Sequence, residues 1–313
     1  MAATNNSFLH GSDYVIGIDI GGTHFRIGAV DRTGNQIIPP VREKSSLLFN
    51  KDNPVQVIIE YISSYIDTEN TKSGTLRGIC LGLPGTVNRY KTTVISCPNL
   101  PGFSHMDLAT PLSEYFHIPV VVEHDVILLL SYDMQEYQLQ GKDCIIALYV
   151  GTGLGNALYI HGKFLDGKNG VSGELGHIPV AGKTDPCPCG NTGCLELYSA
   201  GKRLEYIHSH YMAGIEFSDI FDHYKEYNVL SEFVDFIAIA TATEINILDP
   251  DCILLSGGII NMKNFPFDDL CCRIRKYARK PYPEQNLEFI RGKVDPFAGV
   301  YGAGIYMWKK LSP

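Results

Sequence analysis

The sequence predicts an α/β protein built from two lobes. The chain has 313 residues, which is long for a single compact domain. Hydrophobic residues make up 45% of it, enough for two full cores. A unit of apolar strand, glycine turn and second strand occurs twice, at residues 14–30 and 144–160. This repetition predicts two related lobes that face each other across a cleft.

The other predicted elements alternate between strands and helices, as the α/β class requires. Apolar runs that end in glycine, proline or charged residues predict buried strands at residues 76–85, 118–126 and 251–258. Apolar residues at helical spacing, or a composition rich in glycine and alanine, predict helices at residues 53–70, 233–250 and 297–311.

Charge and composition exclude several classes of function. The formal net charge of −8 argues against general binding to nucleic acid. The polar first 13 residues lack the apolar stretch of a signal peptide, and no apolar run is long enough to span a membrane. We therefore expect a cytoplasmic protein, in which clustered cysteines bind metal more often than they form disulfides.

One short segment has the composition of a metal site. Its histidine and three cysteines follow the spacing H-x9-C-x-C-x4-C, at His177, Cys187, Cys189 and Cys194. Three thiolates and one imidazole suit a closed, structural Zn²⁺ site, and the histidine makes an iron–sulfur cluster less suitable. Glu174 and Glu196 bracket the segment.

Three glycine loops predict an anion site. They are DIGGT at residues 19–23, GTGLG at 151–155 and SGG at 256–258. Glycine lets backbone N–H groups approach a phosphate, although each loop alone also fits a tight turn. Asn156 breaks the Rossmann glycine pattern, and His177 occupies the place of the first glycine of a Walker A loop.

Two hairpin loops and a third loop together resemble the ATP-binding arrangement of actin, hexokinase and Hsp70. This resemblance implies that Asp19 holds Mg²⁺ through water. It also implies that the nucleotide contacts a set of loop residues: Asp19, Gly21, Gly22, Thr23, Gly151, Thr152, Gly153, Gly257 and Gly258.

Further motifs make the resemblance specific. CPCGNTGCLE and, upstream of it, GELGH are similar to the two signatures of the ROK family of sugar kinases and repressors. DIGGTH, GLPG, PNLPGF, VEHDV, GTGLG and LSGG occur in the family's order. The resemblance implies an actin/hexokinase-like (ribonuclease H-like) fold. Its expected lobes are residues 1–122 with 299–313, and a larger lobe of 123–298 that carries the zinc loop.

The family resemblance also implies a chemistry. Asp125 corresponds to the catalytic aspartate, which takes the proton of the attacking sugar hydroxyl. Asn99, Glu174, His177 and Glu196 are implied, with Asp125, to bind the sugar. A homodimer, with ATP, Mg²⁺ and structural Zn²⁺, is expected.

Two alternatives concern the activity and the sugar. Repressors of the family carry an added helix-turn-helix module, for which the roughly 13 residues before the first strand leave no room. A sugar-sensing regulator without that module stays an alternative to a kinase. Within the family, the resemblance favours D-allose over glucose or N-acetylmannosamine. His124 and Ile127 replace asparagines that are common beside the family's catalytic aspartate, and this change argues against glucose specificity.

Overall fold

The computed structural model of the protein describes residues 13–49, 53–68, 74–100 and 102–312. The first twelve residues, which bear on the expected lack of a signal peptide, and Pro101 of the PNLPGF motif lie outside these ranges. The predicted α/β class is confirmed, since two five-stranded sheets and a small three-stranded sheet combine with helices.

The strands, in chain order, are β1 (Tyr14–Ile20), β2 (His24–Val30), β3 (Gln36–Lys44), β4 (Leu76–Leu83), β5 (Thr86–Val87), β6 (Thr93–Ser96), β7 (Met106–Asp107), β8 (Val120–His124), β9 (Cys144–Val150), β10 (Leu154–Ile160), β11 (Lys163–Phe164), β12 (Cys252–Ser256) and β13 (Phe289–Arg291). The α-helices are α1 (Ser45–Leu48), α2 (Pro54–Thr68), α3 (Ala109–Phe116), α4 (Asp125–Glu136), α5 (Glu196–Ser199), α6 (Gly201–Tyr211), α7 (Asn228–Leu248), α8 (Phe267–Tyr277) and α9 (Ala298–Leu311). Short 3₁₀-helices lie at Leu175–His177, Phe217–His223 and Glu284–Asn286.

The two larger sheets share one topology. Their strand orders are β3-β2-β1-β4-β8 and β11-β10-β9-β12-β13. In each sheet the first three strands in this order are antiparallel neighbours, and the last two pair in parallel. The repeated strand, turn and strand seen in the sequence is therefore part of a repeated sheet.

The chain divides into two compact units. The first contains the described parts of Met1–Leu139, Asp166–Val171 and Asp295–Pro313; the second contains Gln140–Leu165 and Ser172–Val294. These divisions differ from the expected lobes of 1–122 with 299–313 and of 123–298. The main reason is that α4 packs closely on α9, which places residues from 125 onward in the first unit.

Each unit has its own core. In the first unit, Ile16 and Ile18 of β1 and Leu81 of β4 are fully buried. In the second, the strands and the long helix α7 bury a separate apolar cluster that includes Phe233 and Leu255. Continuous apolar strands buried in this way hold the loops at their ends in fixed positions. Among the described helices, none combines the length and apolar character that a membrane crossing would need.

Candidate active site

The turn between β1 and β2 offers free backbone donors. The Gly21 N–H donates to the His24 carbonyl at 2.8 Å, and the Ser45 hydroxyl donates to the Gly21 carbonyl at 2.6 Å. Within the described part of the chain, the N–H groups of Gly22 and Thr23 have no hydrogen-bond partner. Both residues are exposed, so these N–H groups are free to bind an anion.

Glycine at position 22 is explained by a close approach. A Cβ there would lie 3.2 Å from the backbone oxygen of Asn99, which is closer than such contacts usually are. The exposed Asn99 therefore adjoins this turn through its backbone. The PNLPGF motif thus contributes to the same region of the first unit as DIGGT.

Asp19 lies at the end of β1, with its side chain 19% exposed. Its register partner across the hairpin is Arg26, whose Nη1 donates to Asp19 Oδ2 at 2.7 Å. Burial raises the pKa of Asp19, and the nearby positive charge of Arg26 opposes that rise. We did not predict Arg26 from the sequence, although the hairpin places residues 19 and 26 opposite each other, so strand pairing could have identified it.

Asp125 is the first residue of α4, directly after β8. Its Oδ1 accepts a hydrogen bond from the Val126 N–H at 2.8 Å. Burial, and then the negative charge of Asp19, raise the pKa of Asp125 to about 7, while the Val126 bond opposes the rise. A carboxyl with this pKa exchanges a proton readily near neutral pH, as a general base must.

His124 is held by backbone groups instead of pointing freely into solvent. Its Nε2 lies 2.9 Å from the Gly170 carbonyl oxygen and 3.4 Å from the Val87 backbone N, and the shorter contact favours Nε2–H as the donor to Gly170. Gly170 has a φ of +82°, and a Cβ there would lie 2.6 Å from the Val87 carbonyl oxygen. Only glycine brings this carbonyl to His124, so the histidine has a satisfied structural partner next to Asp125.

A buried ionic network surrounds Glu123, two residues before Asp125. Lys91 Nζ is 2.7 Å from Glu123 Oε1 and 2.6 Å from Asp166 Oδ1, and the side chains of Lys91 and Glu123 are 5% and 0% exposed. The Tyr306 hydroxyl donates to Glu123 Oε2 at 2.6 Å, and the His124 N–H donates to Glu123 Oε1 at 2.9 Å. The carboxylate two residues before Asp125 is therefore fixed by two distant segments and by the neighbouring backbone N–H.

This network changes the pKa values of Lys91 and Tyr306. Burial alone would lower the pKa of Lys91, but the charges of Glu123 and Asp166 hold it above its ordinary value. Burial and the Glu123 charge raise the pKa of Tyr306, which keeps that hydroxyl protonated as a donor. Lys91 has a φ of +58°, an unusual backbone conformation for a residue with a side chain. We did not predict Lys91, because nothing local in the sequence marks it.

In the second unit, the turn between β9 and β10 is closed by Glu196. The Leu154 N–H donates to Glu196 Oε2 at 2.8 Å, and a Cβ on Gly153 would lie 2.5 Å from the same oxygen. The Gly151 carbonyl accepts from the Gly201 N–H at 2.8 Å, which joins the turn to the start of α6. Glu196, which we expected to bind sugar, therefore supports the GTGLG turn in this structure.

The SGG loop shows which of its glycines is sterically required. Gly257 has a φ of +104°, and a Cβ there would lie 2.4 Å from the Val150 carbonyl oxygen at the end of β9. A Cβ on Gly258 or Gly151 would meet nothing within 4 Å. Those two glycines thus leave open space beside the backbone, where a ligand could approach. Thr152 lies in the same exposed turn as Gly151.

The predicted metal ligands lie together. The ligand atoms of His177, Cys187, Cys189 and Cys194 are all within 4.8 Å of one another. Cys187 Sγ lies 3.7 Å from His177 Nδ1, and Cys189 Sγ lies 3.6 Å from Cys194 Sγ. A tetrahedral Zn²⁺ with ordinary bond lengths separates its ligand atoms by about 3.6 to 3.8 Å. The four groups could therefore hold such an ion, and the sulfurs are too far apart for a disulfide.

The glycines of this loop shape the cluster. Gly190 and Gly193 have φ values of +96° and +66°, and a Cβ on Gly193 would lie 2.3 Å from the Lys183 carbonyl oxygen. Bridges between Pro179 and Cys194 and between Pro186 and Thr192 pair the two sides of the loop. Both glycines of the CxCGxxGC pattern are thus needed for the backbone to bring the cysteines together.

His177 connects the cluster to a predicted sugar-binding residue. Its Nδ1 faces Cys187, while its Nε2 lies 3.7 Å from Glu174 Oε2. Glu174 directly precedes the 3₁₀-helix Leu175–His177, and the spacing of three residues puts the two side chains on the same side of this turn. A metal on Nδ1 would leave Nε2 as the hydrogen-bond donor beside the exposed Glu174 carboxylate.

The chain is similar to known proteins along nearly its whole length. The sequence pattern of the ROK family matches residues 15–310. A glucokinase from Thermotoga maritima is 26% identical over 95% of this chain and 98% of its own length. An N-acetyl-D-glucosamine kinase from Vibrio parahaemolyticus is 28% identical over 92% of this chain and 97% of its own. The fold matches a ROK hexokinase from Thermus thermophilus, with a TM-score of 0.77 and 24% identity over 96% of this chain and 100% of that one. The expected actin/hexokinase-like fold is confirmed.

The ionic network gives the first prediction. Lys91→Met should lower the free energy of unfolding by about 3–5 kcal/mol, because it leaves the Glu123 carboxylate buried without a cation. The double variant Lys91→Met/Glu123→Gln should lose less, since the carboxylate then left without a cation is Asp166, whose side chain is 41% exposed. Urea unfolding at neutral pH measures both, with the exposed Lys163→Met as the control. A double variant less stable than Lys91→Met alone would contradict the charge argument.

Proposed function

The chain belongs to the ROK family, and we propose that it is an ATP-dependent hexose kinase that phosphorylates the sugar at O6. The observation that carries this proposal is the environment of Asp125, which raises the pKa of its carboxyl to about 7 at the start of α4. The chain just before it is held by the buried Lys91–Glu123 ion pair. The relatives named above, a glucokinase and an N-acetyl-D-glucosamine kinase, support the reaction class.

In the proposed reaction Asp125 accepts the proton of the sugar hydroxyl as its oxygen attacks the terminal phosphorus of ATP. Phosphoryl transfer depends mainly on position and charge, so the base must be held rigidly. The Val126 N–H and the ordered backbone of His124 and Glu123 supply that rigidity. We assign Asn99, Glu174, His177 and Glu196 to the sugar, with hydrogen bonds to its hydroxyls.

The proposed nucleotide site uses the glycine turns. We assign Gly21, Gly22 and Thr23 of the first unit to the phosphates, supported by the free N–H groups of Gly22 and Thr23. We also assign Gly151, Thr152, Gly153, Gly257 and Gly258 of the second unit to the nucleotide. Asp19 suits a hydrated Mg²⁺, which would neutralise the charge that develops on the phosphates.

We propose that the Cys₃His cluster holds a structural Zn²⁺. Four protein ligands leave no position for a reactive water, so the ion would order the loop and take no part in the transfer. Its effect would reach Glu174 through His177 Nε2, and Glu196 through the chain directly after Cys194. A homodimer is part of the proposal because the family resemblance implies it.

The proposed substrate is D-allose. The segments NMKNFP and RKPYPEQ lie outside the family-wide motifs and resemble D-allose kinase, so they bear on which member this chain is. Position 124 supports a substrate other than glucose. An asparagine that can contact the sugar is common at this position in the family, whereas the His124 ring here is hydrogen-bonded to the Gly170 carbonyl. Glucose and N-acetylmannosamine are the runner-up substrates.

A panel of hexoses tests the proposal. Allose differs from glucose in the direction of O3, and an inverted hydroxyl leaves a buried partner unpaired. We therefore expect kcat/KM for allose to exceed that for glucose by at least roughly tenfold. A coupled assay of ADP release would compare allose, glucose, mannose and N-acetylmannosamine. If glucose equals or exceeds allose, the substrate is wrong; if no hexose releases ADP, a sugar-sensing regulator becomes the better reading.

Asp125→Asn should lower kcat by at least roughly 10²-fold while sugar affinity stays within about tenfold, because a base acts in the transition state. In the wild type, kcat/KM should fall below pH 7, where the carboxyl becomes protonated. The exposed Glu136→Gln on the same helix is the control. A variant that retains a tenth of the wild-type kcat would remove Asp125 from this role.

The same substitution has a signature in stability. Folding raises the pKa of Asp125 from 3.8 to about 7, so the ionised form is disfavoured in the folded state. Wild-type stability should therefore decline as pH rises through this interval, and Asp125→Asn should escape that decline. Its melting temperature relative to wild type should be higher at pH 8 than at pH 5, which separates loss of the base from loss of the fold.

Removal of a metal ligand tests the zinc site. Cys187→Ala or Cys194→Ala should lose about one equivalent of zinc per chain, measured by elemental analysis. The KM for sugar should rise more than the KM for ATP, because the loop carries Glu174, His177 and Glu196. Cys272→Ala, an exposed cysteine outside the cluster, is the control. Wild-type protein without zinc would refute the assignment, and equal damage to both KM values would indicate general unfolding.

A further inference from the structure

Strands β2 and β3 place like charges opposite each other. The register pairs His24 with Lys44 and Arg26 with Arg42. Residues two apart on a strand share a face, so these four side chains form one surface, here called the basic face. Like charges directly opposite each other destabilise a sheet. The Arg26–Arg42 pair, with Lys44 beside it, therefore calls for a compensating negative charge.

The protein supplies only part of that charge. Asp19 pairs with Arg26 at 2.7 Å. Among the residues whose positions are described, neither Arg42 nor Lys44 forms an ion pair with a carboxylate, and both are exposed. Glu43 lies between them in sequence, but strand alternation turns it to the opposite face, where its register partner is Phe25. Two cations of the basic face therefore lack a negative partner.

His24 behaves as a neutral member of this face. Arg42 Nη2 lies 2.7 Å from His24 Nε2, and the guanidinium can only donate, so Nε2 accepts. Desolvation, followed by the charges of Arg42, Arg26 and Lys44, lowers the pKa of His24. The His24 ring thus orients Arg42 and adds no positive charge to the basic face.

The basic face continues into the glycine turn. His24, which opens β2, directly follows Thr23, and Gly22 and Thr23 carry the free N–H groups. Lys44 lies opposite His24 at this end, while Arg42 lies two residues farther along β3, about 7 Å away. Donors and cations therefore form a row that begins at the turn and follows the strands.

We infer that the basic face and the adjoining turn bind a linear chain of phosphate groups, with Arg42 and Lys44 as its side-chain ligands. Such a chain occurs in the triphosphate of a nucleotide and in inorganic condensed phosphates. Arginine and lysine both form charge-assisted hydrogen bonds to phosphate oxygens. The inference depends on the proposed function only for the nucleotide, because binding of an inorganic chain can be measured without turnover.

Calorimetric titration with inorganic tripolyphosphate, without Mg²⁺ or sugar, tests the inference directly. The double variant Arg42→Gln/Lys44→Gln should bind at least about tenfold more weakly than wild type. The Arg42→Lys variant, which keeps the charge, should recover part of the loss. Arg89→Gln, an exposed cation of the same unit outside the basic face, should bind as wild type does. Equal affinity of the double variant and the wild type would overturn the inference.

Thermal melting gives an independent measurement. Without an anion at low salt, the double variant should melt at a higher temperature than wild type, because two unpaired like charges are gone. Tripolyphosphate should raise the melting temperature of wild type more than that of the variant. A variant that melts lower and gains equally from tripolyphosphate would contradict the role of the basic face.

Parallel titrations with ATP, orthophosphate and a hexose 6-phosphate identify the source of the phosphate. Equal losses for ATP and tripolyphosphate in the double variant support a site for phosphate chains, whichever compound carries them. If the double variant loses affinity only for ATP, or only for orthophosphate and the hexose 6-phosphate, the inference of a phosphate-chain site is overturned. If tripolyphosphate binding weakens while the wild type phosphorylates no hexose, the inference stands and the proposed kinase function fails.

Discussion

The arrangement of the first unit around Asp125 depends on the contacts of the buried Glu123 carboxylate. This carboxylate joins the end of β8 to Lys91, to Tyr306 of α9 and, through Lys91, to Asp166. An ionised group without exposure is tolerated only where every partner is present, so these segments must fold together. Asp125 gains its fixed position from this requirement, because it follows Glu123 by two residues.

Asp19 and Asp125, two carboxyls of the first unit, have different neighbours, and this difference suits the different roles proposed for them. Asp19 is balanced by Arg26, whereas Asp125 has a backbone N–H and the repulsion of Asp19. Burial raises the pKa of both carboxyls, but a cation opposes the rise at Asp19, whereas the negative charge of Asp19 adds to it at Asp125. The proposed division of work between metal binding and base therefore follows from the neighbours of each carboxyl.

Most of the strand and helix framework could be predicted from the sequence, because long apolar runs and glycine turns are local signals. The strands at residues 14–30 and 144–160 and the long helices α2, α7 and α9 lie close to their expected ranges. The cysteine spacing likewise predicted the cluster around His177. Short elements such as β11 and β13 were not predicted, since a few residues carry no clear periodicity.

The tertiary partners of the site could not be predicted for a physical reason. Lys91 and Glu123 are separated by 32 residues, and the contact depends on a positive φ at Lys91 that its residue type does not indicate. The bond from the Leu154 N–H to Glu196 spans 42 residues. Arg26 is different, since hairpin pairing alone places it opposite Asp19. Local pairing is thus readable in a sequence, whereas contacts between distant segments require the fold.

The shared order of the two five-stranded sheets bears on the ancestry of the chain. A topology that occurs twice in one polypeptide is the trace that duplication and fusion of an ancestral half would leave. After such an event, drift erases most side chains but spares positions where no side chain fits. Gly17 and Gly257, whose Cβ atoms would lie 2.0 Å from Val300 O and 2.4 Å from Val150 O, are positions of that kind. The halves would then have diverged around a retained hairpin, with the second acquiring a cysteine-rich loop.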